Sequence, residues 1–134
     1  MFKKTLNKVR ENKKGFTLAE LLIVVAIIAV LVAISIPIFN TQLEKSRDAV
    51  SIANLRAAYA EAASTYLSEG KSGDADITET VALKGKKADD FSGLTTELPF
   101  TVDASLKAKD GTAADVTVTF TYSDATGKWT AKVA

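Results

Sequence analysis

From Leu21 to Leu43 the chain carries no charged side chain, and most of that stretch is aliphatic. A membrane-spanning helix needs about 20 predominantly apolar residues, within a range of about 17–25. The run therefore predicts a helix whose first environment is a membrane or the core of a larger assembly, not the surface of a small domain. Of 134 residues, it and the residues before it consume the first third. A folded unit of about 60 residues buries only about 60% of its unfolded surface. The remainder therefore needs a long helix to pack on, or neighbours. Glu20 stands immediately before the run, a carboxylate at the edge of a hydrocarbon stretch.

Charge is distributed unevenly. Residues 1–15 hold Lys3, Lys4, Lys8, Arg10, Lys13 and Lys14 against Glu11 alone, whereas residues 16–134 carry more acids than bases. A basic segment before an apolar one predicts a cytoplasmic N-terminus, with the bulk of the chain on the far side of the membrane. A cleaved secretory signal, ending near Ala33-Ile-Ser35, and a plain single-pass anchor both fit this composition. Neither accounts for Glu20, nor for Gly15 where the basic cluster stops.

The residues Lys14-Gly15-Phe16-Thr17-Leu18-Ala19-Glu20-Leu21-Leu22 resemble the processing motif of type IV prepilins and pseudopilins. The absence of cysteine and the long lysine-rich leader resemble pilins of Gram-positive bacteria, a major pilin in particular, or a pseudopilin. The resemblance implies cleavage between Gly15 and Phe16 by a prepilin peptidase and methylation of the new Phe16 amine. It also implies retention of the apolar helix, first as an anchor and then as the core of a filament built from copies of the chain. An assembly platform and separate ATPases are implied partners, since the chain has no phosphate-binding loop. The implied location is the cytoplasmic membrane before assembly, C-terminus outside, and the cell surface after it.

The physics of Glu20 agrees with that resemblance. An acid at the centre of a membrane helix costs about 2.5–3.5 kcal/mol on insertion scales, less near the interface. The resemblance implies that Glu20 pairs with the Phe16 amine of an adjacent subunit, which compensates a charge in apolar surroundings. Taken without the motif, Glu20 would be an ordinary acid in a helix's first turn. Pro37 has no N–H to donate to the carbonyl of Ala33 and should kink or loosen the helix; the resemblance implies local unwinding in fibres.

Beyond the apolar run, Ile52, Leu55, Tyr59, Ala62 and Tyr66 recur at spacings of three and four, one apolar stripe, and Gly70 predicts the helix end. A helix from Thr17 to Glu69 would be about 80 Å long at ~1.5 Å per residue. Residues 70–97 predict a connecting region, with one short element around Ile77–Leu83. Period-two alternation then predicts three strands, at Phe100–Ala104, Val116–Tyr122 and Trp129–Val133, with turns at Lys109–Gly111 and Asp124–Gly127. The expected fold is α+β: a long N-terminal helix packed against a small antiparallel meander, the plan of pilins. The expected divisions are a leader at 1–15, an apolar helix half at 16–43, an amphipathic half at 44–69, a connection at 70–97 and the meander at 98–134.

The chain has no cysteine and no histidine, which removes disulfides, thiol nucleophiles, thiolate metal sites and the commonest general base. No catalytic motif, cofactor or metal site is expected. Asp74, Asp76 and Glu79 offer oxygens in a loop, but without the glycine and spacing of an EF-hand, so they read as solvated acids. Lys84, Lys86, Lys87, Lys107 and Lys109 lack interleaved aromatics and belong to a net acidic mature chain, which argues against nucleic acid as a partner. A secretion pseudopilin and a membrane-anchored extracellular binding domain are the alternative roles.

Overall fold

The computed structural model describes residues 2–134, with side chains from Thr17 onward. The leader segment 1–15 and the expected junction of Gly15 with Phe16 lie outside the residues described in full. In chain order the elements are α1 (Phe2–Ser68), β1 (Ala75–Ala82), a 3₁₀ segment (Asp90–Glu97), β2 (Thr101–Val102), α2 (Ala104–Lys107), β3 (Asp115–Ser123) and β4 (Lys128–Val133). Two compact units divide the chain, 1–40 and 41–134.

In the first unit, every described side chain from Thr17 to Asn40 is exposed. Leu21, Leu22, Ile27, Leu31, Ile36 and Phe39 are each more than half exposed, on all sides of the helix. The segment from Thr17 is long and apolar enough to cross a membrane. Helix continues through Pro37.

The second unit has its own core. Ile52, Leu55, Ala58 and Ala62 are buried along α1, and Tyr59 and Tyr66 pack against the same cluster. The stripe read from the sequence is thus the inner face of the helix. Across from it lie Ile77, Val81, Phe100, Val102, Val116, Val118, Phe120, Trp129 and Ala131. Tyr59 sits 5.1 Å from Phe100 and edge-on to Trp129 at 5.8 Å. Tyr66 stands 5.0 Å from Tyr122 and 5.7 Å from Trp129. These separations lie within the favourable range for aromatic pairs. The helix ends as its glycine predicts: Gly70 takes φ 64°, its N–H bonds to Leu67, and the Lys71 N–H bonds to Tyr66, the paired bonds of a Schellman cap.

The α+β layout holds, but the sheet differs from the expected three-stranded meander. It has four strands in the order β1-β3-β4-β2, and it is mixed. β1 pairs antiparallel with β3 along its whole length, Ile77 opposite Phe120 and Val81 opposite Val116. Its alternation is hard to read because Glu79 occupies an inward-phased position between Ile77 and Val81. Burial, and then the nearby Glu61, raise the Glu79 carboxyl above its ordinary value. The expected strand at Phe100–Ala104 shrinks to Thr101–Val102, parallel to β4. Asp103 cuts it short: its side chain accepts the Ser105 N–H at 2.9 Å and caps α2. The turn at Asp124–Gly127 joins β3 and β4 as expected, with Gly127 at φ 66°.

Phe120 is fully buried between the helix stripe and the sheet. Truncating it to alanine should cost about 3–5 kcal/mol, a large share of a small domain's stability. Urea unfolding of the full chain in detergent, followed by Trp129 fluorescence, should show the midpoint fall accordingly.

Candidate functional site: the N-terminal segment and a buried carboxylate cluster

Two groups of acids invite a functional reading. The first is Glu20 alone. It lies exposed on α1, flanked by Ala19 and Leu21 and followed by the exposed apolar residues of the first unit. Phe16 lies outside the residues whose side chains are described, so the pairing of Glu20 with an amine remains a matter of chemistry rather than of measured distance.

Residues 10–36 match the prokaryotic N-terminal methylation motif. The chain carries the N-terminal signature of type IV pilins and pseudopilins. No solved structure matches it. The pilin signature spans Gly15, Phe16, Glu20 and most of the apolar run, and it implies processing by a prepilin peptidase. Pilins and pseudopilins are structural subunits, and the apolar helix together with the motif points to membrane anchoring before assembly.

The second group lies within the unit 41–134. Glu44 and Asp48 are one turn apart on α1 and both buried, at 4% and 0% exposure. Asp110, after α2, is buried at 4%. Asp89, before the 3₁₀ segment, is exposed. One oxygen each of Glu44, Asp48 and Asp89 lies within 4.8 Å of the others. Fixed donors hold these carboxylates in place. Glu44 Oε1 accepts the backbone N–H groups of Lys86 and Lys87 at 2.8 and 2.9 Å, and its Oε2 pairs with Arg47 at 3.3 Å. Asp48 Oδ2 accepts the Ser92 hydroxyl at 2.6 Å. Asp110 Oδ2 accepts the N–H groups of Phe91 at 2.8 Å and Asp89 at 3.0 Å. Ser51, buried on the same helix face, accepts the Lys84 N–H at 2.8 Å.

The electrostatic consequence is a split among like groups. Burial pushes the Asp48 carboxyl up to about 7, and the charges of Asp110 and Asp89 add to it, while the Ser92 hydroxyl opposes. Burial likewise raises Asp110, against its two backbone donors. Burial also acts to raise Glu44, but the Lys87 and Lys86 N–H groups and the Arg47 guanidinium outweigh it and hold the group low. Asp89 is lowered as well: the neighbouring Asp48 and Asp110 carboxyl groups and the Ser92 N–H and hydroxyl outweigh its burial.

Sequence reading singled out Asp74, Asp76 and Glu79 as possible oxygen ligands and passed over this group. The four acids come from positions 44, 48, 89 and 110, too scattered for a motif. One signal was present: Glu44, Asp48 and Ser51 extend the Leu55–Tyr59–Ala62–Tyr66 stripe upstream at the same three- and four-residue spacing. Polar groups in phase with a core stripe are buried by the same geometry that buries the stripe.

A carboxyl raised from 3.8 to about 7 in the folded chain keeps its proton where the unfolded chain has lost it. Its contribution to stability is therefore greatest below about pH 4 and is lost as pH rises to about 7. In buffer free of divalent cations, Asp48→Asn should become progressively more stable than the parent chain across that interval. Urea midpoints of both chains at pH 4, 5.5 and 7 check this; a constant difference would show that Asp48 is ionised in the folded chain throughout.

Proposed function

We propose that the chain is the structural subunit of a type IV pilus or a closely related surface filament, cleaved between Gly15 and Phe16 and methylated at Phe16. The methylation motif over residues 10–36 carries this reading. The exposed apolar helix supports it, since that surface demands a membrane first and neighbouring helices afterwards. Copies of the chain itself are the principal partner. The membrane, the prepilin peptidase, an assembly platform and its ATPases serve the path into the filament. In this reading the chain has no catalytic role and no nucleic-acid partner.

Glu20 is the docking group. A subunit moving from the membrane edge into an apolar fibre would leave this carboxylate uncompensated, and the Phe16 amine of a neighbour supplies the opposite charge. Pro37, with no N–H for the preceding turn, marks where the helix can loosen within a fibre. Before assembly the subunit lies in the cytoplasmic membrane with residues 41–134 outside; after assembly it lies on the cell surface.

Mass spectrometry of protein sheared from cells should find an N-terminus at methylated Phe16. An N-terminus at Ile36, or an intact leader, would refute the filament reading. Glu20→Ala should be cleaved and methylated yet yield no filaments by electron microscopy, and normal fibres from that variant would remove the docking role. Long, abundant fibres from the parent chain select a pilus subunit; short fibres seen only on overexpression select a secretion pseudopilin.

A further inference from the structure

The buried carboxylates take no part in filament docking, and hydrogen bonds alone leave them unsatisfied. Asp48 Oδ1 and Asp110 Oδ1 are both buried and accept no hydrogen bond. A buried polar atom without a partner costs about 1–3 kcal/mol, more when charged. In each residue the other oxygen is tied down, by Ser92 in one case and by Phe91 and Asp89 in the other. Each free oxygen is therefore held in a set direction.

Those directions converge. A Cβ placed on Gly85 would stand 2.5 Å from Asp48 Oδ1, 2.9 Å from Asp110 Oδ1 and 3.2 Å from Glu44 Oε1. Three carboxylate oxygens from two regions of the chain thus crowd the same side of Gly85, where any larger residue would strike them. An oxygen of Asp89 lies within 4.8 Å of those of Glu44 and Asp48. Among the ion pairs of the described residues, the one that reaches this cluster is Arg47 with Glu44, and it uses Oε2 rather than the Oε1 that faces Gly85.

We propose that Asp48, Asp110, Glu44 and Asp89 form a binding site for one divalent cation, calcium, beside Gly85. The donors are all carboxylate oxygens, with no nitrogen or sulfur, which suits a hard cation. The ligands come from a helix and two irregular segments. Calcium accepts such a set, at about 2.3–2.6 Å and six to eight ligands, whereas magnesium demands a near-regular octahedron at about 2.0–2.1 Å. The ion would join Glu44 and Asp48 on the helix to Asp89 and Asp110 and bring opposite charge to a cluster of four carboxyl groups. The site is separate from the exposed acids at 74–79.

The test uses the full chain in detergent, stripped with EDTA and titrated calorimetrically with CaCl2. One saturable site per chain is expected, with a Kd of about 1 mM or tighter, as in extracellular calcium modules, together with a rise in Tm. Asp89→Asn changes an exposed ligand and should fold normally, with affinity weakened several-fold. Asp48→Asn/Asp110→Asn should lose binding at least tenfold, with circular dichroism confirming the fold, and Asp76→Asn should bind as the parent does. Absence of saturable heat in the parent, undiminished binding in a folded Asp89→Asn or in the double variant, or saturation by MgCl2 but not CaCl2 would each overturn the assignment. None of these readouts requires cleavage or filaments, so failure here leaves the filament reading untouched.

Discussion

One stripe of α1, from Glu44 to Tyr66, organises the whole unit 41–134. Its C-terminal part is apolar and aromatic: Ile52, Leu55, Ala58, Tyr59, Ala62 and Tyr66 meet the inner faces of β1, β3 and β4 and the side chain of Phe100. A four-stranded sheet of this size has too little apolar surface to close a core on itself. The helix supplies the other wall, and an aliphatic side chain buried there contributes about 1.5–3 kcal/mol relative to leaving it exposed. On the sheet's outer face Thr117 and Lys132 are exposed while Thr119 is buried, and its large apolar side chains lie on the inner contact.

The N-terminal part of the stripe holds chain that has no regular pairing of its own. Between β1 and β2 the backbone forms no ladder, and three of its donors go to α1 side chains instead. Ser51 takes the N–H of Lys84, and Glu44 takes those of Lys86 and Lys87. The chain then passes through four consecutive residues of positive φ, Asp90 to Gly93. Left-handed backbone costs roughly 1–2 kcal/mol for each non-glycine residue. Complete burial of Phe91 and the two N–H bonds to Asp110 offset that strain. The polar half of the stripe thus does by hydrogen bonding what the apolar half does by burial.

Legibility followed the same division. The apolar run, the stripe from Ile52 to Tyr66, the Gly70 cap and the β3–β4 hairpin all follow from local periodicity and turn chemistry, and all were readable. Two sheet features were not. Glu79 interrupts the alternation of β1, because a strand facing a helix can hold a half-buried acid at the cost of a raised carboxyl. Asp103 reads equally well as an outward strand residue and as a helix cap, and only the bond to Ser105 decides between them. The carboxylate cluster was hidden for a different reason: it is a tertiary object assembled from positions 44 to 110, and no window of sequence contains it.

The two acid groups face one physical problem with opposite resources. Glu44 and Asp48 are buried by their own chain, so that chain can surround them with backbone N–H groups, a guanidinium and hydroxyls. Glu20 sits on an exposed helix among Ala19, Leu21 and Ile23; of the described side chains one turn away, Ile23 and Val24 are apolar and Thr17 offers a hydroxyl but no positive charge. No cationic side chain stands on the turns that follow it, and the flanking hydrocarbon suits cover by lipid or by other helices. In the filament reading proposed above, another copy of the chain compensates Glu20. A newly exposed terminal amine at Phe16 of another copy is a cation that the cleavage step itself would create, at the same depth along the helix. On that reading, the acid that is awkward for a lone membrane-bound subunit is the feature that favours a second chain beside it.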